Sequence, residues 1–178
     1  DVYKRQDPEG RPVPKDGSAC GEIIVRSEAN MLGYWRRPDL TEKTLRDGWM
    51  WTGDIAVWDE QGYVFIVDRA KDMIISGGEN IYSTQVEAAI HQHSAVLESA
   101  VFGVPDDVWG EAVKAVVVLK PNQTATEAEI IAEASKHLAS YQKPKSVDFV
   151  EALPKAPTGK ILKRELRDPY WKTESRKV

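Results

Sequence analysis

Residues 83–119, STQVEAAIHQHSAVLESAVFGVPDDVWGEAVKAVVVL, carry the pattern that decides the fold. Ser83 opens a segment in which Val86, Ala89 and Ile90 recur at helical spacing, with Glu87 early in the helix. Residues 96–104 and 111–119 then read as two β-strands, joined by a loop holding Pro105-Asp106-Asp107 and Trp109-Gly110. Downstream, residues 126–138 form a second helix, with Glu127 and Glu129 in the first turn and Lys136 and His137 in the last, the order a helix dipole favours. A strand at 146–150 follows, and the last 28 residues are polar, basic and broken by Pro154, Pro157 and Pro169. This order specifies a small α+β domain after residue 72. Upstream, a strand is expected over 21–27, a short helix over 38–46 before the Asp47-Gly48 turn, and a hairpin of 55–58 with 63–68 around Asp59-Glu60-Gln61-Gly62. That region is rich in short strands but has no obvious beginning, which puts a boundary near residues 69–72 and suggests the C-terminal part of something longer. Residues 1–6 show no periodicity, run into the turn-rich Asp7-Pro8-Glu9-Gly10, and are set aside as an artefact.

Composition narrows the function. Hydrophobic residues at 42% and charged residues at 29% suit a packed globular chain and exclude wholesale disorder. The longest aliphatic run, residues 115–119, falls far short of the roughly 20 residues that cross a bilayer, so no transmembrane segment or signal peptide is expected. One cysteine, Cys20, excludes an internal disulfide and a thiolate metal cluster, and points to a reducing, cytoplasmic setting. The net charge of −4 hides an asymmetry: residues 1–140 hold 14 basic and 23 acidic side chains, −9, while residues 141–178 hold 10 and 5, +5. A basic tail of this kind serves as a solvated face, a nucleic-acid patch or a site for a phosphorylated small molecule. Nucleic acid is disfavoured as a partner, because the chain is acidic and lacks helix-turn-helix, zinc-finger and basic-zipper patterns.

Four segments can carry chemistry: Trp51-Thr52-Gly53-Asp54, Asp68-Arg69-Ala70-Lys71-Asp72, Ser76-Gly77-Gly78-Glu79-Asn80 and Pro154-Lys155-Ala156-Pro157-Thr158-Gly159-Lys160. Gly53-Asp54 alone is a turn entering a strand, or a carboxylate that accepts two hydrogen bonds from vicinal hydroxyls. Arg69 pairs with Asp68 or Asp72 on the surface, or offers its fork of donors to phosphate or ribose oxygens. Ser76-Gly77-Gly78 is a plain turn, or a loop whose backbone passes close to a ligand. Lys160 by itself is a solvated lysine. Pro154 stands where a phosphate-binding Gly-x-x-x-x-Gly-Lys loop needs glycine, which excludes that reading of Gly159-Lys160. His91 and His93, two apart on a helix, do not share a face, and with His137 they make no metal site. Trp35, Trp49, Trp51 and Trp58 are assigned to core and interface packing. No Ser-His-Asp arrangement can be drawn.

Together and in this order, the four segments resemble the C-terminal signature motifs of the adenylate-forming (AMP-binding) superfamily of acyl-CoA synthetases, peptide-synthetase adenylation domains and luciferases. The resemblance runs from about Asp16 to the end, and Leu166-Arg167-Asp168-Pro169-Tyr170-Trp171 looks like the terminus of bacterial fatty acyl-CoA ligases. It implies that residues 7–70 are the short-stranded β end of a large N-terminal adenylation domain, and 71–178 a small mobile α+β domain. It also implies an acid–thiol ligase of fatty acid and lipid metabolism. A carboxylic acid attacks the α-phosphate of ATP, releasing pyrophosphate, and the thiol of CoA then displaces AMP. By resemblance, Asp54 holds the ribose hydroxyls, Arg69 meets ribose or phosphate oxygens, Lys71 is the hinge and Lys160 bridges the carboxylate and the α-phosphate. A preorganised cation there contributes roughly 10²- to 10³-fold per donor. The same resemblance puts Gly77 and Gly78 beside the pantetheine tunnel, Trp109 and Tyr141 near CoA, and Lys143 and Lys145 at its phosphates, although Trp109 equally suits packing under the loop. Mg²⁺ is expected from the chemistry of ATP, with no ligand legible. The missing N-terminal domain would be the partner of this chain, leaving the isolated chain inactive and residues 7–69 either poorly packed or with an exposed apolar patch. The alternatives are an adenylation module that hands an amino acid to a carrier protein, and a non-catalytic CoA-binding domain.

Overall fold

Residues 2–7 and 10–171 are described by a computed structural model, in which the chain divides into two units after Lys71. Asp1, Pro8-Glu9 of the turn-rich stretch and the end of the basic tail, 172–178, lie outside the described residues.

The first unit is a five-stranded antiparallel sheet of β1 (Val2–Gln6), β2 (Gly21–Arg26), β3 (Leu45–Arg46), β4 (Trp49–Trp58) and β5 (Val64–Arg69), with one helix, α1 (Pro38–Thr44). The ten-residue β4 organises it. One edge pairs with β2; the other is shared between β3, opposite Trp49 and Met50, and β5, opposite residues 54–58. The helix expected over 38–46 stops at Thr44 because Leu45 and Arg46 pair back onto β4. The Asp47-Gly48 turn makes this possible, both residues having positive φ (51° and 76°), the twist that matches a two-residue hairpin.

Residues 1–6 depart from expectation. Val2–Gln6 pair with β2 over five positions, and Arg5 is wholly buried, its guanidinium 3.7 Å from the centroid of the Trp58 ring. The strand lacks alternation because its long cationic side chains lie on tryptophan faces: Lys4 covers Trp49 as Arg5 covers Trp58. Trp35, assigned to core and interface packing, is 84% exposed and takes no part in the core of its unit. Tyr63 and the first three residues of β5, Val64, Phe65 and Ile66, are exposed as well, on both faces of the strand.

The second unit contains β6 (Ile74–Ser76), β7 (Glu79–Ile81), α2 (Ser83–Ile90), β8 (Val96–Asp106), β9 (Gly110–Leu119), α3 (Glu127–Ser135), β10 (Ser146–Phe149) and α4 (Lys163–Arg167), closed by a 3₁₀ turn over Asp168–Trp171. β9 is central, antiparallel to β8 on one side, and on the other parallel to β10 and bridged to β6 at Gly110. Alternation sorts its residues. Val113, Ala115 and Val117 face a core with Val86 and Ile90 of α2 and Ile130 of α3, while Val116 and Val118 face Phe102, Leu153, Ile161 and Leu166. Both faces are covered, which is why 115–119 reads as an unbroken apolar run.

α3 begins at a capping box, with Glu129 N–H donating to Thr126 Oγ1 and the Glu129 carboxylate accepting from Thr126 N–H. It ends three residues earlier than expected, where Lys136 and His137 N–H donate to carbonyls three residues back and tighten the last turn. α2 stops at Ile90, so His91 and His93 are not on a helix. The β6–β7 hairpin and α4 were not anticipated, being too short to display a period. No helix among the described residues is long and apolar enough to cross a membrane.

Candidate functional site

In the first unit, a bulge of β4 away from β2, between Trp51 and Ile55, presents Asp54. Gly53 takes φ 74°, its N–H donates to Glu22 Oε1 (2.9 Å), and its carbonyl accepts from Ala70 N–H (2.9 Å). Thr52 fixes the approach, donating through Oγ1 to Ile23 O and accepting from Asp54 N–H. Asp54 then stands directly opposite Arg69 on β5, and Asp54 Oδ1 lies 2.8 Å from Arg69 Nε. Sequence reasoning offered Asp68 or Asp72 as the partner of Arg69; the ion pair is with Asp54, because cross-strand register outranks sequence proximity. Both side chains remain partly exposed, 43% for Arg69 and 26% for Asp54, so the pair presents an acceptor and a fork of donors together. Glu22, which props the bulge, carries no local signal in the sequence.

In the second unit, Gly77, Trp109, Tyr141, Lys143 and Lys145 line one cleft of about 370 Å³ with Ser76, Glu79, Ala112, Val113 and Ser140. Gly78 shares the loop, with φ 87°, but does not line the cleft. Gly77 is required sterically: its φ is 59°, and a Cβ there would sit 2.8 Å from the indole of Trp109. Its N–H donates to the Trp109 carbonyl at 2.8 Å. Trp109 therefore both packs under the loop and walls the cleft, with 54% of its surface exposed. The facing segment is held by buried Gln142, which accepts from Ala139 N–H and donates to Gln85 of α2, leaving its neighbours Tyr141 and Lys143 on the cleft.

Lys145 is engaged by Asp106 at 2.7 Å. The Lys145 ammonium, followed by the N–H groups of Trp109 and Val108, holds the Asp106 carboxyl below its ordinary value. The Lys145 ammonium is thus already paired with a carboxylate. The sequence gives Asp106 only a place in the loop between the two strands, although an Asp that collects N–H groups two and three positions on is a recognisable turn signal.

Lys160 lies on a different structure, a tight turn whose base is the bridge between Lys155 and Ile161. Ala156 N–H donates to Lys160 O and Gly159 N–H to Ala156 O, each at 2.8 Å, and Gly159 supplies the positive φ of 83°. Lys160 is exposed at the end of this turn and does not line the cleft. Lys71, also exposed, is the last residue of the first unit, in the turn between β5 and β6. Among the described residues, no group of three His, Cys, Asp or Glu side chains is placed to hold a metal ion.

Residues 85–160 match the AMP-binding enzyme C-terminal domain. The fatty acid–acyl-carrier-protein ligase ScoC of Streptomyces coeruleorubidus is 44% identical over 172 residues, 97% of this chain and 33% of that protein. A long-chain-fatty-acid–CoA ligase of Yersinia pestis is 51% identical over 148 residues, 83% of this chain and 26% of its own length. Among solved structures, ATP-bound MatB from Rhodopseudomonas palustris superposes with a TM-score of 0.87 at 40% identity, covering 95% of this chain and 34% of MatB. The chain thus spans between a quarter and about a third of the length of these relatives. It belongs to the adenylate-forming, AMP-binding enzymes, and residues 85–160 are their C-terminal domain.

Proposed function

We propose that this chain is the C-terminal part of an ATP-dependent acid–thiol ligase acting on a fatty or related carboxylic acid, and that the chain by itself does not turn over. Residues 7–70 then end the large AMP-binding domain and 71–178 are the small domain, pivoting at Lys71. In the first half-reaction a carboxylate oxygen attacks the α-phosphorus of ATP, the bond to the β-phosphate breaks and pyrophosphate leaves. Lys160 bridges the two anionic reactants, neutralising charge that builds on the phosphoryl oxygens. Asp54 accepts hydrogen bonds from the ribose hydroxyls, and Arg69, held beside it at 2.8 Å, meets ribose or phosphate oxygens. In the second half-reaction a thiolate sulfur attacks the acyl carbon and AMP departs. Mg²⁺ would accompany ATP through the chemistry of the triphosphate.

The observation that carries this reading is the convergence of Gly77, Trp109, Tyr141, Lys143 and Lys145 on one cleft. An apolar wall over a positive-φ glycine suits a pantetheine arm, and the two lysines suit the phosphates at its far end. A second reading has specific support, since one relative is named for an acyl-carrier-protein acceptor. Its acceptor would present the same pantetheine arm without the nucleotide phosphates.

Thioester release from supplied acyl-adenylate by the full-length enzyme separates the two. With CoA as acceptor, Lys143→Ala combined with Lys145→Ala raises KM about 10-fold, the loss of one to two charge-assisted contacts at roughly 1 kcal/mol each. With pantetheine KM stays within twofold. Equal effects on both acceptors would remove the phosphate role of these lysines, and a strong preference for holo-carrier protein would favour the second reading.

A further inference from the structure

The turn that presents Lys160 is tied down by a charge pair set back from it. Lys163, the first residue of α4, places Nζ 2.7 Å from Glu87 Oε1 and 2.7 Å from Ser83 Oγ, both on α2. Ser83 is fully buried, and the side chains of Lys163 and Glu87 are only 15% and 19% exposed. Exposed ion pairs hold little, whereas a pair withdrawn from solvent and shared between two acceptors has one geometry. Glu87 is itself fixed, because its Oε1 accepts the N–H of Val101 at 2.8 Å. That N–H belongs to β8, an edge strand of its sheet, whose outward groups need side-chain partners.

α4 is a single turn of helix, and its two inward cations, Lys163 and Arg167, are four residues apart and so share a face. Arg167 Nη1 lies 3.8 Å from Asp72 Oδ1, with both side chains largely buried. Asp72 is the first residue of the second unit and the neighbour of Lys71. One short helix therefore joins three things: the start of the unit, α2 and the turn that ends in Lys160.

We propose that Lys163 is a positioning residue for the adenylation step, holding the Lys160 turn through its pair with Glu87. This rests on the assignment of Lys160 to adenylation. The turn keeps its other supports when Lys163 is lost, namely the bridge of Lys155 to Ile161 and the packing of Leu153, Ile161 and Leu166 against the sheet. Removing Lys163 thus displaces Lys160 without unfolding the domain, and a displacement near 1 Å costs a rate up to about 10²-fold.

The test uses the full-length enzyme and both half-reactions. Lys163→Met lowers the maximal rate of acid-dependent pyrophosphate exchange about 10- to 100-fold, leaves KM for ATP and thioester release from supplied acyl-adenylate within twofold, and is largely rescued in Lys163→Arg. Glu87→Gln, which keeps an acceptor for Val101 N–H, gives the same split, and the double variant loses no more than the worse single one. Exchange within twofold of wild type in Lys163→Met, equal losses in both half-reactions, or additive losses in the double variant would overturn the proposal while Lys160→Ala still abolishes exchange. Exchange that survives Lys160→Ala would instead overturn the assignment on which the proposal rests.

Discussion

Gly77→Ala and Gly78→Ala are neighbouring substitutions with one physical difference. Both residues have left-handed backbone, φ 59° and 87°, so a side chain at either position pays the penalty of that region, roughly 1–2 kcal/mol. At Gly78 the added methyl meets nothing within 4 Å; at Gly77 it lies 2.8 Å from Trp109 Cε3 and 3.2 Å from Cζ3. The indole must move by several tenths of an ångström, and overpacking of this kind adds about 1–3 kcal/mol. The lower end applies because half of the Trp109 surface is free and the ring can tilt. Gly78→Ala should therefore destabilise the second unit by about 1–2 kcal/mol and Gly77→Ala by about 2–3 kcal/mol. Amide exchange in β9 reads that unit without requiring the two units to unfold together. Adding Trp109→Ala to Gly77→Ala should erase the excess over Gly78→Ala. Equal effects of the two alanines, or an excess that survives removal of the indole, would refute the account of why glycine is needed at 77. The same displacement reshapes the cleft wall, so in the full-length enzyme Gly77→Ala should slow thioester release and leave pyrophosphate exchange within twofold.

Thr126→Ala removes the capping hydrogen bond to Glu129 N–H and should cost about 1 kcal/mol, read as faster amide exchange in the first turn of α3. The backbone N–H and then the hydroxyl of Thr126 hold the Glu129 carboxyl below its ordinary 4.5. This contribution is complete above that value, is lost as pH falls through the lower folded-state value, and should be absent from the pH profile of Glu129→Gln. The Asp106 carboxyl is likewise held below 3.8 by Lys145 and by the Trp109 and Val108 N–H groups, so its tie to the cleft loop persists at neutral pH and is lost only under stronger acid. Trp109 fluorescence in a chain whose other tryptophans are replaced should report that transition, and Asp106→Asn should abolish it. Removing residues 1–6 uncovers β2 and the ring of Trp58, and should raise exchange in β2 while leaving β9 unchanged; unchanged β2 protection would contradict the packing role of Arg5.

Much of the second unit was legible because its elements are long and their periods distinct. Val86, Ala89 and Ile90 repeat at helical spacing, and β8 and β9 are bounded by a Pro-Asp-Asp and Trp-Gly loop. The parts that escaped are short or are set by partners distant in sequence. β6 and β7 have three residues each, too few for alternation, and α4 has five without a side-chain cap. β1 escaped because its burial depends on Trp58, more than fifty residues away in sequence. The site divides in the same way. Motif positions such as Asp54, Tyr141, Lys143 and Lys160 could be named from sequence, whereas the residues that hold their segments, Glu22, Gln142, Glu87 and Lys163, act through contacts 31 to 80 residues apart that no local pattern announces.

The central claim is that Lys160 serves adenylation and the Gly77–Trp109 cleft serves thiol transfer. The most direct measurement compares wild type and Lys160→Ala of the full-length enzyme in acid-dependent pyrophosphate exchange and in thioester release from supplied acyl-adenylate. The account predicts a loss of exchange of roughly 10²- to 10³-fold, with thioester release within twofold of wild type. Exchange that survives the substitution would leave Lys160 a solvated turn residue and contradict the account.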